Sequence, residues 1–175
     1  NQPNRLYLFI VGSGSPCNAG FDGGTAIGSD TDMTDSLALG DVDGDGDMDL
    51  VAGNYSSPAD GVRNKLYLND GGVFSVGVNI GTFGNDINQT KSVVLWDINN
   101  DNHLDIVEGN VGTNKLYLNN GSGVFASGTA IGSDSDVTYS VALGDVDGDG
   151  YMDLVAATGT SQPNKLYLNN GVGGF

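Results

Sequence analysis

The sequence predicts an all-β fold, and three observations carry that prediction. Short runs of β-branched residues, Leu and Tyr recur between clusters of Gly, Asn and Asp, which is the pattern of strands and turns. No segment keeps a helical period over about eleven residues. Glu occurs once, at Glu108, Lys and Arg together number 6, and Gly numbers 29, a composition that disfavours helices and favours tight turns.

Internal repetition organises the chain. Asn-Lys-Leu-Tyr-Leu-Asn stands at 64–69, 114–119 and 164–169, with Asn4-Arg5-Leu6-Tyr7-Leu8 as a variant. The later spacings are 50 residues; the first is 60, lengthened around 13–18 and 55–62. Gly-Thr-Ala-Ile-Gly-Ser-Asp occurs at 24–30 and 128–134, and Ser-Leu-Ala-Leu-Gly-Asp at 36–41 is echoed at 92–97 and 140–145. The repeat units run over about 22–74, 75–125 and 126–175, with a partial unit at 1–21, in a single repeat domain spanning 1–175. In the last unit four strands are expected, at 125–131, 139–144, 152–157 and 165–169.

Runs such as Asp-Leu-Val-Ala and Ser-Val-Ala-Leu are apolar at successive positions, which suits sheets covered on both faces. Sheets of four antiparallel strands, covered on both faces and repeated about every 50 residues, describe the blades of a β-propeller. A parallel β-helix is the alternative, but its coils are shorter and lack hairpin turns. Only about three to three and a half blades fit in 175 residues, whereas a closed ring needs about four or more. The ring is therefore expected to be closed by a second copy or by further chain.

The chemistry concentrates in three acidic loops: Asp41-Val42-Asp43-Gly44-Asp45-Gly46-Asp47-Met48-Asp49, Asp97-Ile98-Asn99-Asn100-Asp101-Asn102-His103-Leu104-Asp105, and Asp145-Val146-Asp147-Gly148-Asp149-Gly150-Tyr151-Met152-Asp153. At ~4 Å and an effective dielectric of ~20, each pair of carboxylates repels by about 4 kcal/mol, so such a loop calls for a cation. Hard oxygen ligands at alternate positions describe Ca2+, about one ion per complete repeat and three per chain. The expected ligands are side-chain oxygens of Asp41, Asp43, Asp45 and Asp49 with the Asp47 carbonyl, and Asp145, Asp147, Asp149 and Asp153 with the Tyr151 carbonyl. In the middle loop Asp97, Asn99, Asp101 and Asp105 remain, with the His103 carbonyl and its ring turned to solvent. Asn99 replaces an acid there, and Asn100 and Asn102 replace glycines, so this site is expected to bind most weakly. An EF-hand would need flanking helices and a Glu at position 12; β-type runs flank these loops instead.

The words Gly-Asp-Val-Asp-Gly-Asp-Gly-Tyr-Met-Asp-Leu-Val and Asn-Lys-Leu-Tyr-Leu-Asn-Asn-Gly resemble the FG-GAP/VCBS repeat, which is similar to the repeats of integrin α-subunit propellers. The resemblance spans nearly the whole chain. It implies a β-propeller with one calcium per blade, held in the hairpin between two strands, in proteins of the bacterial surface or exterior.

Positions that differ between repeats are candidates for recognition. In the linker before each acidic strand Asp, Thr and Ser hold while Asp35, Lys91 and Tyr139 vary, and these could line a polar site for sugar or peptide. The Thr and Ser are expected to cap turns. Trp96 replaces Gly40 and Gly144 and is expected to fill space between blades, with a sugar-stacking platform as the other reading. The four Tyr of Leu-Tyr-Leu are expected in blade packing. A single cysteine, Cys17, excludes an internal disulfide and reads as an incidental loop thiol.

The formal charge of −16 argues against nucleic acid and anionic membrane surfaces as partners. No apolar run approaches the ~18 residues of a membrane helix. The first residues show no signal-peptide core, so any targeting segment is expected upstream or removed. With one His and no Ser/His/Asp arrangement, the chain is not expected to be an enzyme. The reading is a calcium-binding propeller module of an extracellular or cell-surface protein, for adhesion or carbohydrate or protein binding. The partners expected are calcium, a glycan or a cell-surface protein, and a second copy (a homo-dimer) if the chain is not a fragment. The alternatives are an accessory part of a secreted polysaccharide-degrading enzyme, or a purely structural self-assembling propeller.

Overall fold

The computed structural model describes residues 3–7, 9–10, 20–21, 24–55, 62–81, 89–159 and 161–175. Cys17, the insertion at 13–18, the loop at 56–61 and linker residues 86–88 lie outside the described residues. The described chain is all β, with no helix and hence none long and apolar enough to cross a membrane.

The first strands are β1 (Arg5–Leu6), β2 (Phe9–Ile10), β3 (Gly20–Phe21) and β4 (Thr25–Ala26); β2 pairs with β3, and β1 with β4. The first blade follows with β5 (Thr34–Gly40), β6 (Asp49–Asn54) and β7 (Lys65–Tyr67). A small hairpin of β8 (Asn69–Asp70) and β9 (Val73–Phe74) precedes its outermost strand, β10 (Val78–Asn79). The second blade is β11 (Thr90–Trp96), β12 (Asp105–Asn110), β13 (Lys115–Tyr117) and β14 (Thr129–Ala130). The third is β15 (Thr138–Gly144), β16 (Asp153–Thr158) and β17 (Lys165–Tyr167). Every pairing is antiparallel between strands adjacent in each blade, giving two four-stranded sheets and one of three strands. This is a partial propeller.

The sheets cut the sequence repeat at a different phase from the units 22–74, 75–125 and 126–175. Segment 125–131 was expected to open the last blade; its strand, β14, pairs with β13 and closes the preceding one. A linker of seven residues separates β14 from β15 and lets the chain cross from the rim of one blade to the inner strand of the next. Repetition alone reports the period and not the starting point, because any cyclic shift repeats equally well.

The second strand of each blade explains the run of successive apolar residues. Side chains alternate between the two faces of a strand. Leu50 and Ala52 face back toward Ile27 and Leu6, while Val51 faces forward into a cluster with Val93 and Ile106. One blade on, Ile106 joins that cluster, and Val107 packs forward with Val141, Leu154 and Ala156. The core is thus two seams between neighbouring blades and a third cluster between the first blade and strands β1 and β4. Tyr67 and Tyr117 are buried in these clusters, as expected; Tyr7 is exposed.

Polar ties run beside the apolar seams. Asn64 donates to Thr90 Oγ1 at 2.9 Å, and Thr90 donates to Asn110 Oδ1 at 2.8 Å. Ser36 Oγ accepts from the Val93 amide at 3.0 Å, and Ser92 Oγ from Val141 at 3.2 Å. The linker Thr and Ser therefore join strands and blades and do not merely cap turns. The linker Asp has a partner too: Asp30 accepts from Lys65 at 2.8 Å and Tyr67 at 3.1 Å, and Asp134 from Lys165 at 2.9 Å and Tyr167 at 3.0 Å. Hydrogen bonds from these lysines first, with those from the tyrosines, hold both carboxyls below the usual aspartate range. Burial first, then Asp134, raises the Tyr167 phenol to about 12, and burial and Asp30 push Tyr67 up likewise.

Two measurements check this architecture. Leu116, buried in the second seam, should lose about 2–5 kcal/mol of unfolding free energy on Leu116→Ala, whereas exposed Val76→Ala should stay within about 0.5 kcal/mol in urea titrations. An unfolded tyrosine ionises near ~10, so between there and about 12 the folded state keeps a proton that the unfolded state has lost. Stability should therefore fall as pH rises across that window, and less steeply in Tyr167→Phe.

Candidate metal centre

Each acidic loop joins the inner strand to the second strand of its blade, at the end where Gly40 opposes Asp49, Trp96 opposes Asp105 and Gly144 opposes Asp153. The blade linkers lie at the other end, where Thr34 opposes Asn54. The loop folds around its own first acid. Asp41 accepts from the Gly44 amide at 2.7 Å and from Gly46 at 3.0 Å, and Asp145 does the same with Gly148 at 2.7 Å and Gly150 at 3.1 Å. Asp43 and Asp45 take the amides two residues on, at 3.3 and 2.8 Å, so backbone amides of the loop orient its first three carboxylates. The turns need φ of +81° and +96° at Gly44 and Gly46.

The last acid is the anchor. Asp49, Asp105 and Asp153 are fully buried. One oxygen of each accepts from the second residue of its loop (Val42, Ile98, Val146) and the other from Asn69, Asn119 or Asn169, at 2.8–3.0 Å. Despite the same bonds, the two carboxyls shift in opposite directions. Amides of Asn169 and Val146 hold the Asp153 carboxyl below its usual range. At Asp105 burial outweighs them and, with Asp101 and Asp97 nearby, pushes the carboxyl up.

Oxygens of Asp41, Asp43 and Asp49 lie within 4.8 Å of one another, and so do those of Asp145, Asp147 and Asp149. Burial first, and then the charges of Asp49, Asp45 and Asp41, raise the Asp43 carboxyl against the pull of the Asp45 amide. Oxygen-only donors at this spacing fit a hard divalent cation. The two clusters differ in membership: Asp49 belongs to the first, Asp149 in place of Asp153 to the other. Asp45 and Asp153 remain beside their clusters in the loop.

The middle loop brings no three carboxylates to that spacing. Asn99 donates its amide to Asp101 at 2.9 Å, so a neutral donor stands where the other loops have an acid, and repulsion is relieved locally. Asn100 and Asn102 take the glycine conformation, at φ 60° and 67°. The expectation for the His103 ring is corrected. A Cβ on Gly121 would lie 2.5 Å from it, so the ring packs over that backbone and is half-buried. The position has one task in all repeats: Asp47 accepts from the Gly71 amide at 2.8 Å, and the Tyr151 ring covers Gly171.

The four candidate ligand residues do not form one site. Asp35, Lys91 and Tyr139 fall where the register of the inner strand slips, between Thr34 and Ser36, Thr90 and Ser92, Thr138 and Ser140. A bulge of this kind re-aims a side chain out of the ladder. Lys91 meets Asp35 at 2.6 Å, across two blades, and lies 3.7 Å from the centre of the Tyr55 ring. Trp96 stands at the opposite end of β11, some five residues or about 16 Å away at ~3.3 Å per residue, on the acidic-loop side. It is 45% exposed and belongs to neither of the buried clusters between blades.

Three groups of functional residues were missed in the sequence. Glu108, fully buried where the other repeats have Ala52 and Ala156, accepts from Asn64 of the preceding blade and from Asn110. The signal was present as the single Glu among 22 acids, but its depth was not. Asn119 reaches back to the Val42 carbonyl at 2.7 Å, and Asn169 to that of Ile98 at 3.0 Å, so the first two acidic loops are each clamped by the blade that follows. The last group is the Asp30 and Asp134 pairs.

Blades of antiparallel strands, each with an acidic hairpin loop between its two innermost strands, define a β-propeller repeat. The sequence matches the FG-GAP-like repeat family over residues 41–108 and again over 97–156, and the chain belongs to that family. Among solved structures it is similar to an Agrocybe aegerita lectin, described for its specific recognition of non-reducing terminal N-acetylglucosamine, at 19% identity and a TM-score of 0.61. That likeness covers 97% of this chain and 45% of the lectin's, so the chain spans less than half the length of the protein it matches. No curated protein matches.

Proposed function

We propose that this chain is a calcium-stabilised, non-enzymatic propeller module that works outside the cell and binds a glycan or a cell-surface protein. The observation that carries the calcium reading is the pair of carboxylate clusters with oxygens within 4.8 Å, on glycine-supported turns. Asp41, Asp43 and Asp49 hold one ion and Asp145, Asp147 and Asp149 another, with Asp45 and Asp153 beside them and the carbonyls of Asp47 and Tyr151 completing the oxygen set. Carboxylates that also accept amides keep lone pairs for a cation. The middle loop, with Asp97, Asn99, Asp101, Asp105 and the His103 carbonyl, binds a third ion more weakly. The ion neutralises the loop and stiffens the hairpin. Calcium loops of extracellular modules bind in the ~10⁻⁴–10⁻³ M class, and sites of that class would fill outside the cell.

The ligand reading rests on the bulge residues. Asp35, Lys91 and Tyr139 present an acid, a base and a phenol from one repeat position on successive blades, beside Tyr55. Such a row suits the hydroxyls and apolar face of a sugar. The lectin's sugar specificity is consistent with this use of the fold.

Calorimetry should resolve two tighter calcium sites and one weaker. Asn99→Asp should strengthen the weak site by about tenfold, and chelation should lower stability by about 2.7 kcal/mol for each site that calcium held at ~100 times its Kd. A titration in which the unaltered middle loop is tightest would sink the ordering. On a glycan array, Lys91→Ala or Tyr139→Ala should cut binding by about tenfold or more while the melting temperature holds, because an exposed ion pair contributes about 1 kcal/mol at most. Unchanged glycan binding in both variants would remove the bulge row from the site.

A further inference from the structure

We propose that two copies of this chain close head to tail into a six-bladed ring, the third blade of one copy seating on the first blade of the other. The inference rests on blade packing and is independent of the calcium and ligand readings.

The internal seams supply the template. Across them Val93 and Leu95 of the second blade, and Val141 and Leu143 of the third, pack onto the blade before. In the first blade the same positions are Leu37 and Leu39, 51% and 63% exposed, because only the outer strands β1 and β4 lie over that face among the described residues. The forward faces match in turn. Val42, Val51 and Leu66 are buried by the second blade, and Ile98, Val107 and Leu116 by the third. Their counterparts Val146, Val155 and Leu166 are 54%, 38% and 50% exposed. The two bare faces are thus the two halves of a seam that this chain builds twice internally.

Hydrogen-bonding groups are left over in the same register. Asn119 and Asn169 clamp the loop carbonyls of the preceding blade, whereas among the described residues the Asn69 side-chain amide donates only to Met48 of its own blade, and no described group donates to the Val146 carbonyl. Ser36 and Ser92 each take an amide of the next blade, which assigns the Leu37 amide of one copy to Ser140 of the other.

The strands add up to six blades if one is exchanged. β17 is paired only with β16, and β1 only with β4, among the described residues. These are the same strand of the repeat, Lys-Leu-Tyr against Arg-Leu-Tyr, and cannot both occupy the joint blade. β17 is held by Asp134 through both Lys165 and Tyr167, whereas among the described residues Arg5 reaches only the Gly24 carbonyl and Tyr7 is exposed. β1 therefore yields, and β4 becomes the fourth strand beside β17, as β14 is beside β13. The solved lectin chain, more than twice as long, is a fold of the size two copies would make.

Native mass spectrometry and light scattering of the full chain at tens of micromolar test this. The expected result is one species of two 17.9 kDa chains. Leu37→Asp with Leu39→Asp, and separately Val155→Asp with Leu166→Asp, should each give a monomer with unchanged circular dichroism, since all four side chains are open in the single chain. A one-to-one mixture of the two variants should recover a mixed pair through its one intact seam. A monomeric unaltered chain overturns the proposal. So does an open series of multimers, a two-chain species that survives either double variant, or a mixture in which the variants stay apart.

Discussion

The structure depends on burial between neighbours: no blade owns a core. A second strand such as Leu50-Val51-Ala52 carries apolar side chains on both faces, and each face is covered by a different blade. At roughly 25 cal/mol per Å² of apolar surface removed from water, a blade alone would leave half of that gain unrealised. Stability of this kind is close to a sum over neighbouring pairs. It makes the terminal faces of any such array adhesive, and it explains why Leu37 and Val155 look like core residues in sequence while lying open in this chain.

The acidic loops are built on the same dependence. Their carboxylates are brought together by backbone amides, against their own repulsion, and the anchoring acid is buried at the root of the loop. The blade that follows completes the clamp through Asn119 or Asn169. Loop conformation and blade packing are therefore coupled: what steadies one loop also steadies a seam. Glu108 adds a fully buried carboxylate at the first seam, and burying such a group is tolerable only with donors such as Asn64 and Asn110 in place.

The varying residues are displayed at the other end of the blades. The inner strand slips register at one residue in each repeat, and that residue is Asp35, Lys91 or Tyr139. A bulge frees the side chain from the packing demand that keeps Leu and Val constant elsewhere in the strand, so variation there costs little stability. Scaffold and display are thus separated along one seven-residue strand.

The sequence by itself determined the all-β class, the blade period, the strands covered on both faces and the place of the acidic loops. Each of these follows from local pattern: side-chain alternation, turn residues and carboxylate spacing. The φ of Asn100 and Asn102 was legible for the same reason, since the repeats put Gly in their place. Tertiary structure decided the rest. Which sheet owns segment 125–131 depends on pairing across a turn, and a cyclic repeat cannot state its own phase. That His103 covers Gly121 and that Asn119 reaches Val42 are facts about residues brought together from different hairpins. Only packing in three dimensions sets those distances, because contacts between blades leave no spacing within the chain to read.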